Sequence, residues 1–410
     1  MKFDIFLSIC QTEVDGYMPS EKVMFENFFD QLKLADKLSF GVAWVAETHL
    51  SCQVQKENPG SVIPHFKGEI GLNTDILQLA MKAFSLTKRI HIGSAIMNIL
   101  CNGGPIAHAE AIKTFLSLHG LEETEDRKIH VGFAAGRFPF SVTPYGIKAR
   151  SKTEESAWPV IKGKIFQEAT EIFLKAIRGD VFSSQDIKKK ILISSDFRIE
   201  EDWQKTKSIY QEEFQSSSDV SEIEIPSFWQ FDKVGVIPFH PRLDLLELIV
   251  GSHDPATQIL ANEILPVSVF NLSITDSAAI EAIHARMKKH YHADGGNWQR
   301  SNTPRTCMIF LNGDEDKTSE EQTESAKEMA RLAHENYWKA MEGTLDLEKV
   351  KKAVANSIYG NPEEVAQKIK EKYHPEDRLM MWFDFNNHNN EEIKKSMQIF
   401  NDQCIPLLNG

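Results

Sequence analysis

The chain has 410 residues, 41% hydrophobic and 26% charged, an ordinary globular composition with room for one large α/β barrel or two smaller domains. A formal net charge of -13 repels phosphate backbones and argues against nucleic acid as a partner. No apolar run approaches the roughly 18 residues of a membrane span, and no basic segment backed by an apolar run opens the chain, so the expected location is cytoplasmic.

Strand and helix patterns alternate from the first residues. Lys2 to Ile9, KFDIFLSI, reads as a buried strand. The helix expected from about Lys22 to Leu38 carries Phe25, Phe28, Phe29, Leu32 and Ala35 at spacings that line one face. Val42 to Val45 make the second strand, which runs out on Glu47, Thr48 and His49. Asp75 to Leu86 reads as a helix with Asn73 or Thr74 as N-cap. Ile90 to Met97 is the third strand, a helix starts near Pro105, and Ile129 to Ala134 is the fourth strand. A long helix is expected from about Glu154 to Ile177.

The alternation then breaks. Residues 179–243 hold charged runs, a serine patch at Ser216 to Ser218 and several aromatics. Lys188 to Lys190 and Ile199 to Asp202 read as solvated surface. Regularity resumes with strand five at Leu245 to Val250, a helix at Ala256 to Glu263 and strand six at Pro266 to Phe270. A helix from about Ser277 to Tyr291, strand seven at Arg305 to Leu311 and a long helix at Ser319 to Met341 follow. A short helix at Glu363 to Lys372, strand eight at Leu379 to Phe385 and a helix at Glu391 to Cys404 close the chain.

Eight near-continuous apolar strands, each followed by a helix, predict a (β/α)8 TIM barrel with a long insertion between strands four and five. A doubly wound open sheet wants a glycine-rich loop after its first strand, and Cys10 to Ser20 has only Gly16. The whole chain therefore reads as one barrel domain. The 179–243 segment is too long for an ordinary connection and reads as a lid-like excursion over one mouth.

The five cysteines, Cys10, Cys52, Cys101, Cys307 and Cys404, show no metal or disulfide spacing and read as reduced thiols, although Cys10 and Cys101 each follow a strand. His290 and His292 read as a solvated helix end, and no metal site is expected. The candidates for chemistry all follow strands, where parallel barrels place their sites. They are Glu47 and His49 after strand two, Asn98 after strand three, and Gly136 and Arg137 after strand four. Gly251, Ser252 and Thr257 follow strand five and open a helix, whose free N–H groups and dipole suit a phosphate. Ser252 or Asp254 is equally a helix cap.

These segments, in this order, resemble the bacterial luciferase-like flavin monooxygenase family. The resemblance runs from Met1 to about Gly146 and from about Pro238 to the end. Its carriers are KFDIFL, the Glu-x-His after strand two, LTKRIHIGSAI, GPIAHAE at Gly104 to Glu110, VGFAAGRF with Tyr145-Gly146, IVGSHDPATQILA, YGNPEEVAQKI and the closing MMWFDFNNHNNEEIKKSMQIFNDQCIPLL. It implies a flavin at the strand carboxyl ends and often a homodimer. Members of the FMN type take reduced FMN from a separate flavin reductase and use dioxygen to oxygenate a small organic substrate. On matching positions, Gly251, Ser252 and Thr257 would hold the phosphate, and Asn98 and the Ala135-Gly136 backbone would lie near the isoalloxazine. Glu47 and His49 would line the reaction pocket, with Arg137 a second anion contact. FMN-type members commonly show Glu-His-His after strand two; here the middle residue is Thr48, which cannot titrate near neutral pH. That departure keeps open a flavin-binding protein without turnover, and a deazaflavin-dependent oxidoreductase on the same barrel is the other alternative.

Overall fold

The computed structural model describes residues 1–409 except 52–53, 55–56, 58–66, 70, 137–140, 216–219 and 343–345, and the backbone only of 341 and 342. Cys52, Arg137 and the serine patch lie outside the described residues.

Eight parallel strands form a ring: β1 (Lys2–Leu7), β2 (Val42–Val45), β3 (His91–Asn98), β4 (Ile129–Ala134), β5 (Leu246–Val250), β6 (Val267–Val269), β7 (Arg305–Leu311) and β8 (Arg378–Trp382). Their order in the curled sheet is β6-β5-β4-β3-β2-β1-β8-β7. A single parallel bridge, Asn271 to Arg305, joins the two ends, with Asn271 N donating to Pro304 O at 2.9 Å and Thr306 N to Asn271 O at 3.2 Å. The short strand Ile358–Gly360 pairs with Ile309–Leu311 and makes the ninth member of the sheet. The strands are near-continuous apolar runs because both faces are covered. Alternate residues of β1, β2 and β8 turn inward, where Phe6, Val42, Trp44 and Met380 pack with Ile249 and Phe270. The intervening Ile5, Leu7, Ala43, Val45, Leu379 and Met381 pack outward against the helices.

The helices keep the expected positions with local corrections. The helix after β2 is Ile76–Leu86, and its N-cap is Asp75, not Asn73 or Thr74: the Asp75 carboxylate accepts from Leu77 N at 3.0 Å and Gln78 N at 3.1 Å. The long helix after β4 is two helices, Lys152–Ser156 and Trp158–Arg178, because Pro159 starts a new first turn and cannot continue an old one. A further helix, Leu347–Asn356, and the strand Ile358–Gly360 precede the helix Pro362–Lys372 and were not legible as separate elements. β8 stops at Trp382, so Phe383 to Phe385 continue beyond the sheet.

The 179–243 segment has structure of its own. Val181–Phe182 pairs with Val234–Gly235, and Lys190–Ile193 with Glu222–Ile225, both antiparallel, and the helix Glu200–Glu213 lies between them in sequence. The segment packs on the helices Gly104–His119 and Trp158–Arg178. The Glu168 carboxylate accepts from Phe228 N at 3.0 Å and Trp229 N at 3.2 Å. Lys113 is fully buried, donates to Val236 O at 2.6 Å, and is pushed down from the usual lysine range by that burial. Among the described residues, no helix is long and apolar enough to cross a membrane.

Candidate functional site

Where β2 leaves the sheet, the chain turns Glu47 and His49 into the protein, 8% and 5% exposed. Glu47 Oε1 lies 3.1 Å from His49 Nε2, and Glu47 Oε2 accepts from Ser94 Oγ at 2.8 Å. His49 Nδ1 lies 3.2 Å from Asn102 Nδ2. A carboxylate facing Nε2 calls for the proton there, which leaves Nδ1 to accept from the Asn102 amide. Both ring nitrogens are thus engaged within the protein. Thr48 serves the backbone instead: its hydroxyl donates to Gly71 O at 3.2 Å and sits 2.9 Å from Ser51 Oγ.

Asn98 ends β3, past a register shift between Ser94 and Met97 of the kind that re-aims side chains. Its Oδ1 accepts from Leu100 N at 3.0 Å, while its Nδ2 is buried with no partner. Gly136 closes over this amide at φ +72, and a Cβ there would lie 2.1 Å from Asn98 Nδ2, so only glycine lets the chain pass. Ala135 is half-buried beside it. Lys162 Nζ donates to Gly136 O at 2.9 Å and is pushed down by burial. The adjoining Cys101 donates its S–H to Ser141 O at 2.8 Å, and burial, with the Glu47 charge adding, pushes the thiol up to about 12. Cys101 is therefore a packed thiol and not a nucleophile.

His108 sits on the helix Gly104–His119, one turn beyond Gly104, and is 7% exposed. Its Nδ1 lies 2.8 Å from Gly104 O, which requires the proton on Nδ1 and leaves the Nε2 lone pair without a hydrogen-bond partner. Burial pushes the ring toward its neutral form, although the Gly104 hydrogen bond and the charge of Glu47 oppose this. On the other side of β2, Ser8 donates both its N–H (2.9 Å) and its hydroxyl (2.8 Å) to Asp384 Oδ2. Asp384 Oδ1 and the nearby Trp382 indole N–H are both buried without completing a hydrogen bond, and burial pushes this carboxyl up to about 6 although Ser8 and Trp382 oppose the rise.

The segment after β5 stands apart. Gly251 N donates to Phe133 O at 2.8 Å, and a Cβ on Gly251 would meet Ile96 Cδ1 at 2.6 Å, so the residue belongs to close packing of β5 on β3. Ser252 and Thr257 line a cavity of about 720 Å³ with Gln167, Asp254 and, from the insertion, Asp196 and Arg198. None of Glu47, His49 or Asn98 lines that cavity. Another cavity, about 510 Å³ and lined by Trp44, His130 and Arg378, lies at the amino ends of the strands, the end that carries stability in such barrels.

The structure thus gathers Glu47, His49, Asn98, Ala135 and Gly136 through the 98–104 turn, and leaves Ser252 and Thr257 at a second opening. Sequence reasoning missed Ser8, Ser94, Asn102, His108, Lys162 and Asp384. Asn102 had a signal, since Asn-Gly-Gly before a proline-started helix marks a tight turn that aims its first side chain. Asp384 had none, because its role depends on β8 lying beside β1. Among the described residues no cluster of three or more His, Cys, Asp or Glu could hold a metal.

Neither a protein-family model nor a curated protein matches the chain. Solved structures do. Monooxygenase RslO1 from Streptomyces bottropensis aligns over 99% of both chains at 16% identity, with a TM-score of 0.64. The oxygenating constituent of 3,6-diketocamphane monooxygenase of Pseudomonas putida, solved with FMN, aligns over 99% of this chain and 98% of its own at 14% identity and a TM-score of 0.58. An F420-dependent secondary alcohol dehydrogenase, solved with an F420-acetone adduct, aligns over 99% and 98% at 14% identity and a TM-score of 0.56. At such identities the likeness is one of fold alone, the α/β barrel that this chain shares with these enzymes.

Proposed function

We propose that the protein is a flavin-dependent oxidoreductase, and specifically a monooxygenase that takes reduced FMN from a separate reductase and uses dioxygen on a small organic substrate. The observation that carries this reading is the buried, unpartnered Asn98 Nδ2 beneath Gly136, at the strand end where the resemblance puts the isoalloxazine. A buried amide donor with no acceptor costs on the order of 1–3 kcal/mol, which an acceptor-rich ring system would offset. The residues at this end are compatible with a flavin ring: Asn98 brings an uncommitted amide donor, and the half-buried Ala135-Gly136 backbone lies beside it.

When bound, a reduced flavin supplies the electrons that activate dioxygen. The chain's own part is positioning and proton handling. Glu47 holds His49 and Ser94 in one buried network, so the pocket wall is rigid. His49 has both nitrogens occupied, whereas His108 is neutral and offers a free Nε2. Of the two imidazoles, His108 is the better placed to accept a proton, and Glu47 and His49 orient what it acts on. Lys162 adds a positive charge beside Gly136, suited to an anionic ring.

The test is an anaerobic titration with oxidised and reduced FMN, followed by admission of oxygen with candidate substrates. Micromolar binding and oxygen incorporation are expected. Absence of binding for both redox forms removes this reading. The fold shared with an F420-dependent dehydrogenase favours one alternative, a deazaflavin enzyme, and a parallel titration with that cofactor decides between them.

A further inference from the structure

The helix Pro255–Asn262 points its N-terminus at the opening after β5, where a flavin phosphate is expected from the resemblance. Its donors are not free. Asp254 caps the helix, and its carboxylate accepts from Ala256 N at 3.3 Å, Thr257 N at 2.9 Å and Thr257 Oγ1 at 2.5 Å. Gln167 Nε2, from the helix Trp158–Arg178, donates to the same carboxylate at 3.0 Å. Ser252 Oγ is drawn into the turn as well, accepting from Asp254 N at 3.2 Å. Burial alone would raise Asp254, but the Thr257 hydroxyl, the Gln167 amide and the helix N–H groups hold it below the usual carboxylate range. The group is therefore an internal anion in the place of an external one.

The cavity in front of it does not redress the charge. Among the described residues its ionisable lining is Asp196, Asp202 and Asp254 against Lys164 and Arg198, three acids to two bases. Lys164 is already committed to Asp196 at 2.8 Å. A phosphate monoester arriving here would meet a carboxylate of like charge, and would have to break its four hydrogen bonds before making its own. The donors of the helix start fit one anion, and the chain supplies it.

We infer that this chain recognises its flavin through the ring system and not through the phosphate, and that Asp254 is the residue that withholds a preference for the phosphorylated cofactor. The inference rests on the flavin reading proposed above. It predicts that riboflavin and FMN bind alike, and that removing the Asp254 charge creates a preference for FMN.

Full-length wild type, Asp254→Asn and Asp254→Ser are titrated with oxidised riboflavin and FMN, following flavin fluorescence. Asn keeps a capping amide oxygen and Ser a capping hydroxyl, so both retain the helix start. In wild type the two dissociation constants are expected to agree within about threefold. Each variant is expected to bind FMN roughly tenfold more tightly than wild type does, with riboflavin unchanged. Wild type binding FMN tenfold or more tighter than riboflavin, or variants that leave the ratio where it was, overturns the inference while the flavin reading stands. Binding of neither flavin to wild type overturns both.

Discussion

The two strand-end regions that the sequence singled out differ in how their polar groups are spent. At the carboxyl ends of β1, β3 and β8, the barrel holds buried atoms without a hydrogen bond, Asn98 Nδ2 and Asp384 Oδ1, and His108 keeps one ring nitrogen uncommitted among the described residues. After β5, the N–H groups of Asp254, Ala256 and Thr257 and the Thr257 hydroxyl are already paired within the turn, and Gln167 donates to the same carboxylate. Unpaired polar groups in an interior are costly, so Asn98 Nδ2 at a strand end is a group that a ligand acceptor would satisfy. The satisfied rim marks a helix start that is complete by itself. Position at a strand end thus does not by itself make a site; the state of the donors separates the two.

The largest test of this contrast removes the one free imidazole. His108→Gln is expected to cut turnover about a hundredfold while leaving flavin affinity unchanged, with His49→Gln costing less. The pH profile is the deciding readout: an equal loss at every pH for both variants would make His108 structural. Next, Asn98→Asp keeps the acceptor for Leu100 N but replaces the unpaired donor by a carboxylate oxygen. Flavin affinity should fall by roughly tenfold to a hundredfold, about 1.4–2.8 kcal/mol. An unchanged affinity would mean that the orphan amide does not face the ring.

Asp384 gives a pH signature of the same mouth. Its carboxyl is raised in the folded protein from 3.8 to about 6, so the folded state holds the extra proton between those values. Stability should therefore rise as pH falls from above 6 toward 4, by on the order of 1–3 kcal/mol from this group. Urea melts at pH 7 and pH 5 of wild type and Asp384→Asn measure it, and a slope that survives in the variant assigns the effect elsewhere. Smallest in reach is Lys113→Met. Val236 O then loses its charged donor, and protection of residues 179–243 against proteolysis should fall by about 1 kcal/mol with the barrel unaffected. A global loss of stability instead would show that the insertion and the barrel open as one unit.

Much of the barrel was legible locally. β2, β4 and β7 fall on the expected residues, because VAWV, IHVGFA and RTCMIFL are buried on both faces and bounded by turn residues. Less regular parts escaped. Ile358–Gly360 is three residues long, too short for any periodicity, and pairs only because β7 lies beside it. The insertion's two small antiparallel pairs join residues from 29 to 54 apart, through a stretch dense in charge. Its charged runs hid their roles: Lys190, read as solvated surface, is 9% exposed and lies 3.3 Å from buried Glu171.

For the site, residue type and spacing were enough to place Glu47, His49, Asn98 and Gly136 at one end of a parallel barrel. Strand ends are fixed by short-range pattern, and a parallel sheet puts all carboxyl ends on one side. Which of these groups are free was decided only by tertiary structure. Whether an amide, an imidazole nitrogen or a helix N–H has a partner depends on neighbours brought from other strands: Ser94 and Asn102 to the Glu47-His49 pair, Ser8 to Asp384, Gln167 to Asp254. The same Thr257 that reads as a phosphate ligand along the chain is, in the folded molecule, half of a completed helix cap.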